Sequence, residues 1–316
     1  MRIHGLAIQA NVVLPGIART DSTTADVELE LVDHLPPPIP ERTRYRAGDP
    51  DDKTTRVEIV DDTSGRTSFR YGDGSAFDVE LHTRPARISA AIAPGQTLED
   101  LCAYLYGPVL GYLLRAWGRL ALHASCIRID DDAVLLAGDS GSGKSTLAAA
   151  LAALGSTVVS DDLTALTTDG ARTFAWPAFD HVRLWPDAEH LVLPAGERLE
   201  RITPTWDKRR FALTAAAFAQ EPTPVRAIVV LRQRRTGSRA ASRSIAPPRA
   251  VLTLATLTYA NYLLDNTMRA TELAQLGALV RTVSVHALTP ASGRAGINST
   301  CEAILRIAAR LSPSRR

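Results

Sequence analysis

The stretch LLAGDSGSGKSTLAAALAALG, Leu135 to Gly155, limits what this chain can fold into more than any other. An apolar run leads into Gly138-Asp139-Ser140-Gly141-Ser142-Gly143-Lys144-Ser145, and an alanine- and leucine-rich pattern of helical character follows. Strand, glycine loop and helix, in that order, are the setting the G-x-x-x-x-G-K-[ST] motif requires. The glycines allow positive φ, so the loop's N–H groups can turn inward around phosphate oxygens. The new helix adds the positive end of its dipole at the same point. Lys144 can then reach the β/γ-phosphates of a nucleotide, the Ser145 hydroxyl can sit on Mg²⁺, and Thr146 extends the phosphate-binding run into the helix. A flexible Gly/Ser linker has the same composition but lacks the apolar strand upstream. The motif therefore predicts an α/β fold built around a nucleotide-phosphate loop.

The chain's 316 residues are enough for one large core or two modest ones, and 45% hydrophobic with 22% charged residues is the balance of a soluble globular protein. No apolar run reaches the length of a bilayer span, and the N-terminus lacks the pattern of a secretory signal, so a cytoplasmic protein without membrane contact is expected. A net charge of +2 argues against a generic pull toward nucleic acid. The basic residues are local instead: Lys208-Arg209-Arg210, the stretch Arg232 to Arg243, and the tail Arg310 to Arg316; the tail reads as solvated, and the other two as loops whose arginines are mostly solvated but can stabilise a transferring phosphoryl group or grip an acidic partner. Cys102, Cys126 and Cys301 lack metal-ligand spacing and read as small buried apolar residues.

Residues 1 to 95 carry short alternating segments, Gly5 to Val13, Ala25 to Val32, Thr55 to Val60, Thr67 to Tyr71, Ala76 to Leu81 and Arg87 to Ile92, separated by turn formers. They predict hairpins of an antiparallel sheet, an N-terminal β-rich accessory region. The proline-rich stretch His34 to Asp52 reads as a loop. Residues 96 to 316 are expected to form the catalytic domain. They open with Thr97 as N-cap of a helical pattern through Gly118, in which Gly107-Pro108 predicts a kink or a break between two helices. Tyr104, Tyr106, Tyr112 and Trp117 fall at core spacing within it.

Arg119 to Ile129 alternates as a strand, and Asp130-Asp131-Asp132 turns it back into Ala133 to Ala137. That hairpin brings His123 near the phosphate loop, although a lone strand histidine is more often structural. Beyond the loop's helix, Thr157-Val158-Val159-Ser160 ends in Asp161-Asp162. Mg²⁺ needs hard oxygen ligands beside Ser145, and successive residues of an extended chain point in different directions. One carboxylate can hold the metal or its water while the other faces a substrate hydroxyl as base. The aromatic and proline-rich segment Trp176 to Asp187 is either an edge of the substrate cleft or a packed corner. Pro224 to Leu231 reads as a strand running out into the arginine-rich stretch, Pro248 to Arg281 as largely helical, Thr282 to Leu288 as a strand and Ile297 to Leu311 as a final helix.

His123 lies fifteen positions before Gly138, then come GDSGSGKS and Asp161-Asp162 at the next strand's end. That set resembles the catalytic domain of the HPr kinase/phosphorylase family, whose core is the P-loop fold of the HPr kinase/PEP carboxykinase type. LHAS, SDDLTAL and RLWPDA make the chain similar to the stand-alone members found with ribosomally made peptides, including kinases that phosphorylate lasso-peptide precursors on a C-terminal serine. The resemblance covers roughly Thr97 to the C-terminus. It implies serine phosphorylation of a peptide or small protein with ATP and Mg²⁺, and a possible homo-oligomer.

Carried over residue by residue, Asp161 would accept the hydroxyl proton and Asp162 with Ser145 would hold Mg²⁺. Lys144 would neutralise the phosphates and His123 would orient phosphate and base, with the two aspartates able to exchange roles. Arg183 and Arg232 are further candidates for phosphate contacts. Ala124 stands where bifunctional members have glycine, Asp180-His181-Val182-Arg183-Leu184 where they have Glu-x-Arg-Gly, and Thr146 where an acidic residue is common. These departures bear on phosphorylase activity and HPr recognition and leave kinase chemistry intact. Two other functions fit the same residues: a kinase for a small hydroxylated metabolite, and a non-catalytic nucleotide-sensing protein.

Overall fold

The computed structural model describes residues 1–17, 19, 24–48, 56–194, 196–234 and 239–311. Parts of four stretches singled out in the sequence lie outside it: 49–52 of the proline-rich segment, Thr55 of the alternating segment that follows, 235–238 of the arginine-rich stretch and 312–316 of the basic tail. No helix among the described residues is long and apolar enough to cross a membrane.

The chain forms a mixed α/β structure around two large sheets. The first has eight strands, all within residues 2–91. Its strands at Thr67–Tyr71, Ala76–Glu80 and Ala86–Ala91 fall within a residue of the alternating segments. The expectation of antiparallel hairpins holds for most pairs but not all: Leu6–Ala10, Val27–Val32 and Ala86–Ala91 lie parallel to one another. Parallel partners are joined by long crossovers, so no local turn announces them. The proline-rich segment also differs from expectation, because Pro40–Ala47 is a strand paired with Val57–Asp62 at the sheet's end. Proline is tolerated at such an edge, where a missing N–H costs no ladder bond.

The helical pattern after residue 97 packs on this first sheet. Thr97 forms a full capping box with Asp100. The helix runs Leu98–Tyr104 and Leu110–Ala116 and widens between them into a π turn at Leu105–Val109. Pro108 is thus absorbed by the wider turn, and the helical run continues through it without the break that was one of the two expectations. Leu101, Leu105, Leu110 and Leu113 share one core with Ile59, Phe69, Phe77 and Ile88 of the sheet. The change at residue 95 is therefore a change from strand to helix and not a gap between cores.

The second sheet has nine strands and carries the glycine loop. At its centre Asp132–Ala137, Thr223–Leu231 and Ser284–Thr289 run parallel. Ala124–Ile129 pairs antiparallel with Asp132–Ala137 on one side and with Thr157–Ser160 on the other. The inner strands alternate. Leu135, Ile228 and Val230 face a core closed by the helices Pro247–Ala255 and Asn266–Thr282. Val134, Leu136 and Val229 face the opposite core, with the helices Lys144–Ala153 and Gly293–Leu311. Ala241–Ser244, at the end of the arginine-rich stretch, is a strand paired with Ser284–Thr289. Cys102, Cys126 and Cys301 are free and buried, and burial pushes their thiols up, Cys102 to about 12.

Candidate active site

Ala137 ends the central strand and Lys144 begins the helix, so Gly138 to Gly143 form the loop between them. Gly138, Gly141 and Gly143 all have positive φ. Gly143, the residue before the helix, has a φ of 99°, which favours glycine, and the Arg234 guanidinium packs against it. The Lys144 ammonium donates to the carbonyls of Gly138 at 2.8 Å and Asp139 at 2.9 Å, and so lies over the mouth of the loop. Burial pulls the Lys144 ammonium below its usual range, against the opposing charges of Asp162, Asp161 and Asp139.

Thr157–Ser160 is separated from the loop's strand by Ala124–Ile129, one strand further away than a direct neighbour. Asp161 nevertheless reaches the loop. Its carboxylate, 1% exposed, accepts from Ser125 Oγ at 2.6 Å and Ser145 Oγ at 2.8 Å through Oδ1, and from the Arg183 N–H at 3.0 Å through Oδ2. Asp162 then takes a left-handed φ of 69°. Aspartate tolerates that region better than most residues, and the turn sends the second carboxylate away from the first.

Asp162 faces His123 and Tyr259. His123 Nδ1 lies 2.9 Å from the Asp162 carbonyl and 3.4 Å from its Oδ1, and Tyr259 donates its hydroxyl to Oδ2 at 3.3 Å. A carbonyl only accepts, so Nδ1 carries the proton in the neutral ring and Nε2 keeps its lone pair. Burial lowers the His123 imidazole, partly offset by Asp162. Burial works against charge on Asp162 as well, but the field of His123, Lys208, Arg183 and Lys144 outweighs it and holds the carboxyl below its usual range.

His123 owes its place to a break in the strand read from Arg119 to Ile129. Leu120–Leu122 pairs with Thr164–Thr168, Ala124–Ile129 with the loop's strand, and between them the His123 N–H donates to the Leu257 carbonyl. Tyr259 fits a slot on the capped helix: a Cβ on Gly107 or Gly111 would come within 2.7 Å of its ring or hydroxyl. The π turn and the helical turn after it thereby back Asp162 through Tyr259.

His123, Lys144, Ser145, Thr146, Asp162 and Arg183 line one cleft, with Ser140, Gly141 and Gly143 at its floor. The Arg183 guanidinium lies 4.4 Å over the Phe179 ring, is 7% exposed, and forms no ion pair among the described residues. Its Nε and the Ser142 hydroxyl are buried without hydrogen-bond partners. The mouth of the cleft is formed by Trp185, 53% exposed, with Lys208 Nζ 5.4 Å over its ring. Of the two options for Trp176 to Asp187, both apply: Phe179 is a packed corner and Trp185 an edge of the cleft.

Arg232 does not share this cleft. It lies with Gly138 and Asp139 on the other side of the loop, and Arg234 is the residue that lines both sides. Ser125, Tyr259, Lys208 and Arg234 went unread in the sequence as site residues. The first two sit in ordinary strand and turn text, and the last two were hidden within basic stretches that read as solvated.

The arrangement fits a magnesium nucleotide. Among the described residues no group of three or more His, Cys, Asp or Glu could hold a metal alone. Mg²⁺ is bound by one or two carboxylates together with a substrate's phosphate oxygens, and Ser145 with the aspartate pair offers that partial set. The positive φ glycines, Lys144 and the unpartnered Ser142 hydroxyl and Arg183 Nε suit phosphate oxygens.

No protein-family model matches the chain, and no curated protein matches it. Among solved structures, the chain is similar to the HPr(Ser) kinase/phosphatase from Coxiella burnetii, with a TM-score of 0.33 and 14% sequence identity over 60% of this chain and 98% of that one.

Proposed function

We propose that the protein is a Mg²⁺-dependent kinase that transfers the γ-phosphoryl group of a nucleoside triphosphate, ATP in the first instance, to a hydroxyl of a peptide or small protein. The observation that carries this reading is a single cleft that receives Lys144, Asp162 and Arg183 together, with Ser145 tied to the neighbouring Asp161. Mg²⁺, when bound, would supply neutralisation of the β- and γ-phosphate oxygens, and Ser145 with Asp161 would hold it.

The two aspartates take the exchanged roles in this reading. Both Asp161 oxygens are engaged by Ser125, Ser145 and the Arg183 N–H, which suits fixing the metal side of the site. Asp162 opens to the cleft and stays ionised, which suits accepting the proton of the attacking hydroxyl. His123 and Tyr259 hold that carboxylate in place. Lys144 and Arg183 face the charge carried by the transferring group.

The open mouth with its exposed Trp185 favours a polypeptide acceptor over a small metabolite, which an enclosed pocket would suit better. The sequence resemblance narrows the acceptor to serine, and in particular to the C-terminal serine of a lasso-peptide precursor. Residues 96–316 would be the catalytic unit, with the N-terminal sheet as its buttress. Incubation with Mg-ATP and serine-ended precursor peptides should add one phosphoryl mass, detected by intact mass spectrometry and abolished by Asp162→Asn. A wild-type protein that binds Mg-ATP yet phosphorylates no peptide would sink the peptide-kinase reading.

A further inference from the structure

On the side of the phosphate loop away from Asp162 lies a cavity of about 560 Å³, against about 140 Å³ for the cleft that holds the carboxylate. It adjoins Gly138 and Asp139 and is edged by Arg232, Arg234, Arg243 and Arg249. Those four guanidinium groups form no ion pair among the described residues. Thr253 and Thr256, from the helix Pro247–Ala255 and its C-cap, add hydroxyl groups to the wall.

The position follows from the sheet. The three parallel strands end at Ala137, Leu231 and Thr289, and the cavity lies beyond those carboxyl ends. Open α/β sheets bind their ligands in just such a crevice. The carboxylate pair lies to one side of the loop's strand and the arginine cavity to the other, so the loop stands between two openings. Small-molecule sites run about 300–1,000 Å³, and of the two openings only the arginine cavity falls in that range.

We propose that this arginine cavity receives the nucleoside half of the phosphoryl donor, leaving the Trp185 side of the loop to the acceptor. The assignment rests on the phosphoryl-transfer reading and adds the place and chemistry of donor recognition. Arg243 and Arg249 present guanidinium planes on which a purine stacks, with cation–π attraction added to the contact. The Thr253 hydroxyl can donate to or accept from the base edge or the ribose, and the Thr256 hydroxyl, which donates to the Thr253 carbonyl, can accept. Arg234, against Gly143 and lining both openings, marks the passage from nucleoside to phosphates.

Calorimetric binding of Mg-ATP and of Mg-tripolyphosphate, which has the phosphates and no nucleoside, tests the assignment. The comparison uses wild type, the double variant Arg243→Ala/Arg249→Ala and Lys144→Ala, at about 0.3 M salt to damp long-range charge effects. Both arginines are exposed, so their removal leaves the core intact. The expected result is a loss of about tenfold or more in ATP affinity for the double variant, with tripolyphosphate affinity within about threefold of wild type; Lys144→Ala loses both ligands. Equal losses for the two ligands, or none, overturn the nucleoside assignment while leaving the phosphate loop in place. A wild type that binds neither ligand overturns the phosphoryl-transfer reading, and the assignment with it.

Discussion

The Ser145 hydroxyl donates to Asp161 Oδ1 over 2.8 Å, joining the last residue of the glycine-loop motif to an aspartate sixteen positions further on. Asp161 is thereby committed to the loop, and its neighbour Asp162 is the carboxylate left facing the cleft. A single left-handed residue separates the two tasks.

The two aspartates should consequently fail in different ways. Asp162→Asn removes the proton acceptor, so kcat should fall by about 100- to 10,000-fold with the affinity for Mg-ATP within a few-fold of wild type. Asp161→Asn instead disturbs the Ser145 side, and the concentration of Mg²⁺ needed for half-maximal rate should rise. Steady-state kinetics with Mg²⁺ varied at fixed ATP separates the two, and the reverse pattern would return Asp161 to the role of base.

Tyr259→Phe keeps the ring in its slot against Gly107 and Gly111 and deletes only the hydroxyl that donates to Asp162. A hydrogen bond to the charged form favours ionisation, so its loss should move the acid limb of the kcat–pH profile upward, by about half a unit to one unit. The melting temperature should move little. An unchanged profile would make the tyrosine a packing residue and nothing more.

The local text of the sequence and the long-range assembly of the site were not equally legible. The glycine loop, the capped helix at Thr97 and the aspartate pair depend on residues within one turn or strand, and each appears where its pattern predicted. The parallel pairing of Val27–Val32 with its neighbours depends on chain segments tens of residues apart, for which no turn chemistry exists to be read. The same holds at the site. Tyr259 reaches Asp162 across 97 residues of sequence, and its only trace in the helix that receives it is a pair of glycines four apart. Arg232, singled out from the sequence, lies on the far side of the loop, whereas Arg234, two residues on and within the same basic stretch, lines both sides.

Stability should fall on acidification below neutrality, and His4 should carry much of that fall. The ring is fully buried in the first hairpin turn, and burial lowers its pKa from the ordinary 6.5 to about 4. Unfolded chains take up the proton as pH drops through 6.5 and the folded protein only near 4, so stability present above the upper value is lost across that window. The loss is about 3 kcal/mol for a shift of that size. His123 and His181, both lowered chiefly by burial, act in the same direction. His4→Asn, which tolerates the positive φ of that turn, should flatten urea-unfolding free energies measured between pH 4 and 6.5. A slope equal to that of wild type would remove His4 from the account.

Arg115 and Glu272 form an ion pair between the capped helix and the helix Asn266–Thr282, with side chains 2% and 7% exposed. Breaking one partner leaves the other charged and buried, so Glu272→Gln should cost about 3–5 kcal/mol in chemical denaturation. Arg115→Met combined with Glu272→Leu should recover most of that, because two apolar side chains of similar length need no charge partner. If the double variant is no more stable than Glu272→Gln, the pair contributes through geometry that leucine and methionine do not reproduce.

Trp185 and Lys208 stand at the mouth of the cleft, outside the glycine loop, and the Lys208 ammonium lies over the exposed indole. A polypeptide entering toward Asp162 has to pass them, losing apolar area on the ring and meeting a positive charge. Trp185→Ala should therefore raise the KM for a peptide acceptor by about tenfold, the effect of removing one buried aromatic contact, while Mg-ATP affinity holds. Lys208→Glu should discriminate further: if the acceptor carries an acidic residue beside its hydroxyl, that variant raises its KM more than that of a neutralised peptide. Equal kinetics for both peptides would leave the lysine a role at the indole alone.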